Sequence, residues 1–128
     1  DLTVDISHLK EKIDAGASYI VTQMFFDNQH YFSYVDQCRR AGITVPIIPG
    51  LKVLTSAKQI TALPALFSLT IPEDLRREIQ ARPQQVRDIG IEWAVNQIRG
   101  LYAAGVPSIH LYVMQNIEPV HAVLKEVL

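Results

Sequence analysis

The sequence predicts an α/β fold with a parallel sheet, and within that class a partial (β/α)8 barrel that supplies the last three strands with their helices. Three observations carry this expectation. Stretches with helical spacing alternate with short, β-branched runs that are apolar on both faces, as buried parallel strands are. Ala15-Gly16-Ala17, Ala41-Gly42-Ile43 and Ala104-Gly105-Val106 each join a helix end to a strand start, with a glycine free to take the left-handed conformation that ends a helix. Three strands alone would leave two unpaired edges and two bare faces, whereas a closed barrel has no edges but needs about eight strands. The competing architecture is half of an open doubly wound sheet, against which no strand is followed by a Gly-x-Gly-x-x-Gly turn.

Residues 5–15 read as a helix, with Ile6, Leu9 and Ile13 on one face and Gly16 as the stop. Tyr19-Ile20-Val21-Thr22 forms the centre of a first strand, expected at about residues 19–23. Asn28 is positioned to cap a second helix carrying Tyr31, Tyr34, Val35 and Cys38, which ends near Gly42. A second strand is expected at about 46–48, closed by Pro49-Gly50. Residues 56–66 read as one helical piece. Pro72 stands where another helix can begin, and Pro83 interrupts the helical pattern after it. Residues 84–104 form a strong helix, with Val86, Ile89, Trp93 and Ile98 broadly on one side. A third strand is expected at about 108–112, and Pro119 suits the first turn of a last helix running to Leu128. The three strands should be parallel and adjacent, with helices on one face of the sheet.

Composition narrows the function classes. The chain has 128 residues, a formal net charge of −1 and 48% hydrophobic residues, as expected of one ordinary domain with a real core. Neither the charge nor any basic run offers a footprint for nucleic acid. No apolar stretch approaches the ~20 residues of a membrane span. The single cysteine, Cys38, excludes an internal disulfide framework and agrees with a cytoplasmic setting. Within a helical pattern it reads as a small core filler. The four histidines, His8, His30, His110 and His121, show no metal-ligand spacing. The start Asp1-Leu2-Thr3 carries no initiator methionine or signal peptide and reads as a cut through a longer protein.

A barrel places its chemistry at the C-terminal strand ends and just beyond. Three places are thereby selected: residues 22–27, 49–52 and 112–116. Gln23 is the most informative residue, because a polar amide follows four strand residues that should be buried. A buried glutamine must be hydrogen-bonded, either to neighbouring backbone or to a ligand, and its carboxamide matches one edge of a heteroaromatic ring. Phe25 and Phe26 offer ring-stacking surfaces, with core as the plainer reading. Lys52 is expected to be exposed, with an anion-facing role as the alternative. His110, within a strand, reads as a satisfied core histidine.

At this point the residues resemble a known family. The run from Asp5 through Leu9-Lys10-Glu11-Lys12 to Ala15-Gly16-Ala17, leading into Thr22-Gln23-Met24-Phe25-Phe26, is similar to the methylenetetrahydrofolate reductases. Their pattern there is D-x-x-x-L-K-x-K-x-x-A-G-A, then a strand and T-Q-x-F-F. The likeness continues through Cys38-Arg39-Arg40-Ala41-Gly42-Ile43, Val45-Pro46-Ile47-Ile48-Pro49-Gly50, Gly90-Ile91-Glu92-Trp93-Ala94, Gly105-Val106-Pro107 and His110-Leu111-Tyr112. Each piece alone is weak; the ordered set, covering essentially the whole chain, is specific.

The resemblance implies a TIM barrel of which residues 1–128 are the C-terminal portion, with FAD as cofactor and NADH or NADPH as electron donor. The implied reaction is reduction of 5,10-methylenetetrahydrofolate to 5-methyltetrahydrofolate. It implies FAD binding by Asp5, His8 and Lys12 on the ADP-ribose side, and folate binding by Gln23 and Gln59. Glu11 replaces a basic residue found in some members. Leu63 stands where some have a phenylalanine against which ligands pack, and Asn116 where many have an arginine. The acidic catalytic residue belongs to earlier strands, so no catalytic residue is expected here and the fragment alone should not turn over. The implied partners are folate and the nicotinamide donor, with a homo-oligomer open for the full-length enzyme. The alternative is a non-catalytic remnant or binding module that keeps the fold.

Overall fold

The structure, a computed structural model, describes residues 2–113 and 116–128. Helix α1 (Leu2–Asp14) precedes strand β1 (Ile20–Val21), and α2 (Asn28–Arg40) comes after it. The next stretch of strand has two halves, β2 (Ile47–Ile48) and β3 (Gly50–Lys52). Then come α3 (Gln59–Leu66), α4 (Glu73–Ala81), a 3-10 turn at Pro83–Gln85, α5 (Val86–Ala103), β4 (His110–Tyr112) and α6 (Glu118–Val127).

The strands pair in parallel, as two two-stranded ladders, and the third expected strand joins the middle stretch at 50–52, beyond the expected 46–48. β1 pairs with β2, and β3 pairs with β4, both in parallel. Pro49 separates the two halves of the middle stretch without breaking the ladder, since its carbonyl accepts from the His110 N–H at 2.9 Å. The repeated helix–glycine–strand joint is present at all three places, with φ of 121° at Gly16, 90° at Gly42 and 88° at Gly105. Each glycine takes a conformation that costs a side-chain-bearing residue energy, so each helix stops where the sequence says.

One expectation is corrected here. The middle strand does not close at Pro49-Gly50 but continues to Lys52, because β4 is staggered along it and supplies partners to its second half. The C-terminal end of the strand therefore lies about two residues further on. A second correction concerns α2, which is capped by the Asp27 carboxylate accepting from the Gln29 N–H at 2.9 Å. Asn28 is the first helical residue instead.

Side-chain alternation divides the sheet into two faces. Ile20, Ile47, Leu51 and Val53 turn toward the helices and share a core with Ile6 of α1, Tyr31 and Cys38 of α2, Val95 and Ile98 of α5 and Val123 of α6. Cys38 is fully buried there, as expected of a filler, and burial pushes its thiol pKa up. A second core lies beyond the C-terminal strand ends, where Met24, Phe26 and Leu54 meet Ile60 and Leu63 of α3, Leu75 and Ile79 of α4, and Ile89 of α5. The opposite face of the sheet carries Gly50, Lys52, His110 and Tyr112. His110 is not a core histidine: it is exposed on this face and meets the Tyr112 ring edge-on, with centroids 4.6 Å apart.

Candidate substrate-binding site

The loop after β1 is fastened on several sides by side chains distant in sequence. The Tyr112 hydroxyl donates to the Thr22 carbonyl at 2.7 Å. The Thr22 hydroxyl accepts from the Gly50 N–H at 3.0 Å, standing in for a backbone acceptor as the chain leaves the sheet. From α5, the Gln97 amide donates to the Phe25 carbonyl at 3.3 Å and the Trp93 indole N–H to the Phe26 carbonyl at 2.8 Å. Asn28 and Gln97 also bond each other, side chain to side chain at 3.2 Å and side chain to backbone at 3.0 Å. Gly50 is what lets Tyr112 reach across: a Cβ there would lie 2.5 Å from the tyrosine ring and 2.7 Å from the Thr22 carbonyl oxygen. A glycine inside a strand often marks such a close approach.

Gln23 sits in the middle of this fastened loop. It is exposed rather than buried, which overturns the expectation of a buried amide, and among the described residues it makes no hydrogen bond. The plain structural role, bonding neighbouring backbone, is therefore not what holds it. It lines a cavity of about 370 Å³ together with Asp5, Met24, His30 and Tyr34. Phe25 and Phe26 are core residues, Phe25 stacking on Tyr31 at 5.6 Å between centroids. Burial pushes the Tyr34 phenol up to about 12, with the neighbouring Cys38 adding to it.

Asp5, His8 and Lys12 stand on one exposed side of α1, next to the Ile6, Leu9 and Ile13 side that enters the core. Asp5 reaches the Gln23 cavity; His8 and Lys12 do not line it. Gln59 lies elsewhere, at the start of α3. Its side-chain oxygen accepts from the Thr55 N–H at 2.7 Å and the Ser56 N–H at 3.1 Å, a turn-closing role. It lines a second cavity of about 350 Å³, with Lys52, Arg87, Tyr112 and Asn116.

Lys52 is only 9% exposed, which corrects the expectation of a surface lysine, and desolvation lowers its amine pKa. Leu63 packs in the second core, and the Asn116 side-chain oxygen accepts from the Glu118 N–H at 3.0 Å at the start of α6. Of the third expected site segment, Met114 and Gln115 lie outside the described residues. The sequence placed Tyr112 in a site segment but not as a tether of the loop after β1, and Trp93 only as a helix member. A mid-strand glycine beside Pro49 was the one local sign that a ring would cross the sheet. Among the described residues no helix is long and apolar enough to cross a membrane, and no cluster of His, Cys, Asp and Glu is arranged for a metal.

A parallel sheet with helices on one face, and with its free polar groups gathered beyond the C-terminal strand ends, is the arrangement of α/β proteins that bind small molecules at that end of the sheet. The chain belongs to the methylenetetrahydrofolate reductase family, which it matches over residues 1–127. It is 36% identical over 121 residues to methylenetetrahydrofolate reductase 1 of Schizosaccharomyces pombe (strain 972 / ATCC 24843), covering 92% of this chain and 20% of that protein. It is 34% identical over 113 residues to methylenetetrahydrofolate reductase (NADH) 1 of Arabidopsis thaliana, covering 86% of this chain and 19% of that protein. The 5,10-methylenetetrahydrofolate reductase of Pectobacterium carotovorum subsp. carotovorum is 30% identical over 122 residues, covering 93% of this chain and 41% of its own length. The chain thus spans about a fifth of the first two relatives. A solved structure of an uncharacterized protein from Clostridium thermocellum, which binds two copies of 5-methyl-5,6,7,8-tetrahydrofolic acid, shares the fold. Its TM-score is 0.62 at 16% identity, over 98% of this chain and 47% of that one. The family's fold is the TIM barrel, and this mixed α/β architecture agrees with part of one. Its members generally work with a flavin and NAD(P)H.

Proposed function

We propose that the full-length protein reduces 5,10-methylenetetrahydrofolate to 5-methyltetrahydrofolate with NADH or NADPH. In this reading residues 1–128 are the C-terminal portion of a single FAD-dependent (β/α)8 barrel, its last three strands with their helices. The observation that carries it is Gln23, an amide without a partner among the described residues, in a loop anchored by Tyr112, Trp93 and Gln97. A carboxamide so placed presents a donor and an acceptor together to the edge of a pterin ring. Its backbone is fixed in advance, so little ordering remains to be done on binding.

The flavin fits the chemistry of α1. Asp5 and Lys12 lie seven residues apart on an exposed side, about 10 Å along the helix axis. The Asp5 carboxylate suits a ribose hydroxyl, the Lys12 ammonium a diphosphate, and His8 lies between them. When bound, the flavin would supply the hydride relay between nicotinamide and folate. This chain's own residues bind and orient: Gln23 takes the pterin edge, Gln59 offers its N–H2 group, and the acidic catalytic residue belongs to strands outside this chain. The test is anaerobic stopped-flow spectroscopy of the full-length protein. Its flavin should bleach with NAD(P)H and reoxidise on mixing with methylenetetrahydrofolate. A flavin that bleaches but ignores the folate would sink the reading, and a protein that neither holds flavin nor bleaches with NAD(P)H would favour a non-catalytic binding module of the same fold.

A further inference from the structure

Gly90, Trp93 and Gln97 are spaced three and four apart on α5, which lines them up along one side of the helix. Each meets one of two segments that have just left the sheet, residues 22–28 after β1 and residues 53–59 after β3. A Cβ on Gly90 would overlap the Leu54 carbonyl, so the helix backbone is seated directly on the second segment. Leu54 leads into Thr55 and Ser56, whose N–H groups hold the Gln59 side chain. Toward the first segment, the Trp93 indole N–H donates to the Phe26 carbonyl at 2.8 Å. The Gln97 amide donates to the Phe25 carbonyl at 3.3 Å and to the Asn28 side-chain oxygen at 3.2 Å. Gln97 is buried, yet its own side-chain oxygen has no partner among the described residues. An orphaned buried acceptor opposes folding, so stability alone does not account for a glutamine here.

We propose that Trp93 and Gln97 are positioning residues for the folate half-reaction. From a helix seated on the Leu54 backbone, they hold the Gln23 loop at a fixed distance from the segment that carries Gln59. This rests on the reading under Proposed function and extends it to residues that do not line the Gln23 cavity. They act through the carbonyls of Phe25 and Phe26, two and three residues beyond Gln23. Such an effect is felt in rate, because a small misplacement of the groups that orient a bound ring lowers it steeply.

The experiment is anaerobic stopped-flow of the full-length protein and of two variants. Trp93→Phe keeps a ring and removes the N–H; Gln97→Met keeps the length and removes the amide. Ile98→Val, buried on α5 in the core against the sheet, is the stability control. Each positioning variant should slow flavin reoxidation by methylenetetrahydrofolate roughly threefold to tenfold, the worth of one hydrogen bond, with reduction by NAD(P)H within about twofold of wild type. Added to Gln23→Leu, either change should slow reoxidation no further, because the amide it aims is gone. Ile98→Val should show no difference between the two half-reactions. Equal losses in both half-reactions, the same split in Ile98→Val, or effects that multiply with that of Gln23→Leu would assign Trp93 and Gln97 to the fold alone. If Gln97→Met does not fold, Trp93→Phe, the milder change, decides by the same criteria. A wild-type flavin that ignores the folate overturns the reductase reading, and this inference with it, before any variant is measured.

Discussion

Gln23→Leu separates a ligand-facing residue from a structural one. Gln23 is exposed and gives no hydrogen bond to the described residues, so the folded protein loses little when the amide is replaced by a near-isostere. Surface changes of this kind usually stay within about 0.5 kcal/mol of wild-type stability. In the folate complex the balance differs. The leucine leaves polar atoms of the pterin unpaired in a confined site, at roughly 1–3 kcal/mol for each unsatisfied group. At about 1.4 kcal/mol per factor of ten, the folate-dependent rate or affinity should fall about tenfold or more. The NAD(P)H-to-flavin half-reaction should suffer less, because the nicotinamide does not use the pterin's hydrogen bonds. Stopped-flow measurement of both half-reactions, with urea unfolding of the same preparation, decides the matter. Equal losses in the two half-reactions, or a stability loss above about 1 kcal/mol with no folate defect, would show that Gln23 serves the fold.

Lys12→Ala in the full-length protein should lower flavin retention through gel filtration while leaving the urea midpoint unchanged, since Lys12 is exposed and forms no ion pair among the described residues; full flavin content would remove it from the cofactor site. Tyr112→Phe deletes the bond to the Thr22 carbonyl. It should cost about 1 kcal/mol of stability and slow the folate half-reaction, because Gln23 is the next residue; folate kinetics equal to wild type would show that the tether does not position it. The lowered Lys52 pKa has a definite sign. Below it, the buried charge opposes folding in full. As pH rises through it toward the unfolded value of about 10.4, the native state sheds the proton first and the penalty fades. Lys52→Met without ligand should therefore be stabilising at neutral pH, with a gain that shrinks near pH 10, as urea unfolding at the two pH values will reveal; a gain that grows with pH would contradict it.

The helix–strand alternation, the parallel sheet and the places where helices stop were legible in the residues, because each rests on local causes: apolar spacing, β-branched runs and a glycine at a left-handed position. Gln23 was legible as a site candidate for a related reason, a polar amide at the end of a buried strand. Its exposure was not, because that depends on where the loop goes once it leaves the sheet. The loop's path is set by partners 67 to 90 residues away, the Trp93 indole and the Tyr112 hydroxyl. Local sequence likewise suggested a surface Lys52 and a buried His110, and the stagger of β4 along the middle strand reversed both. Register between distant strands decides which face a side chain meets and what covers it. That choice is made by packing across the whole sheet, which neighbouring residues do not encode.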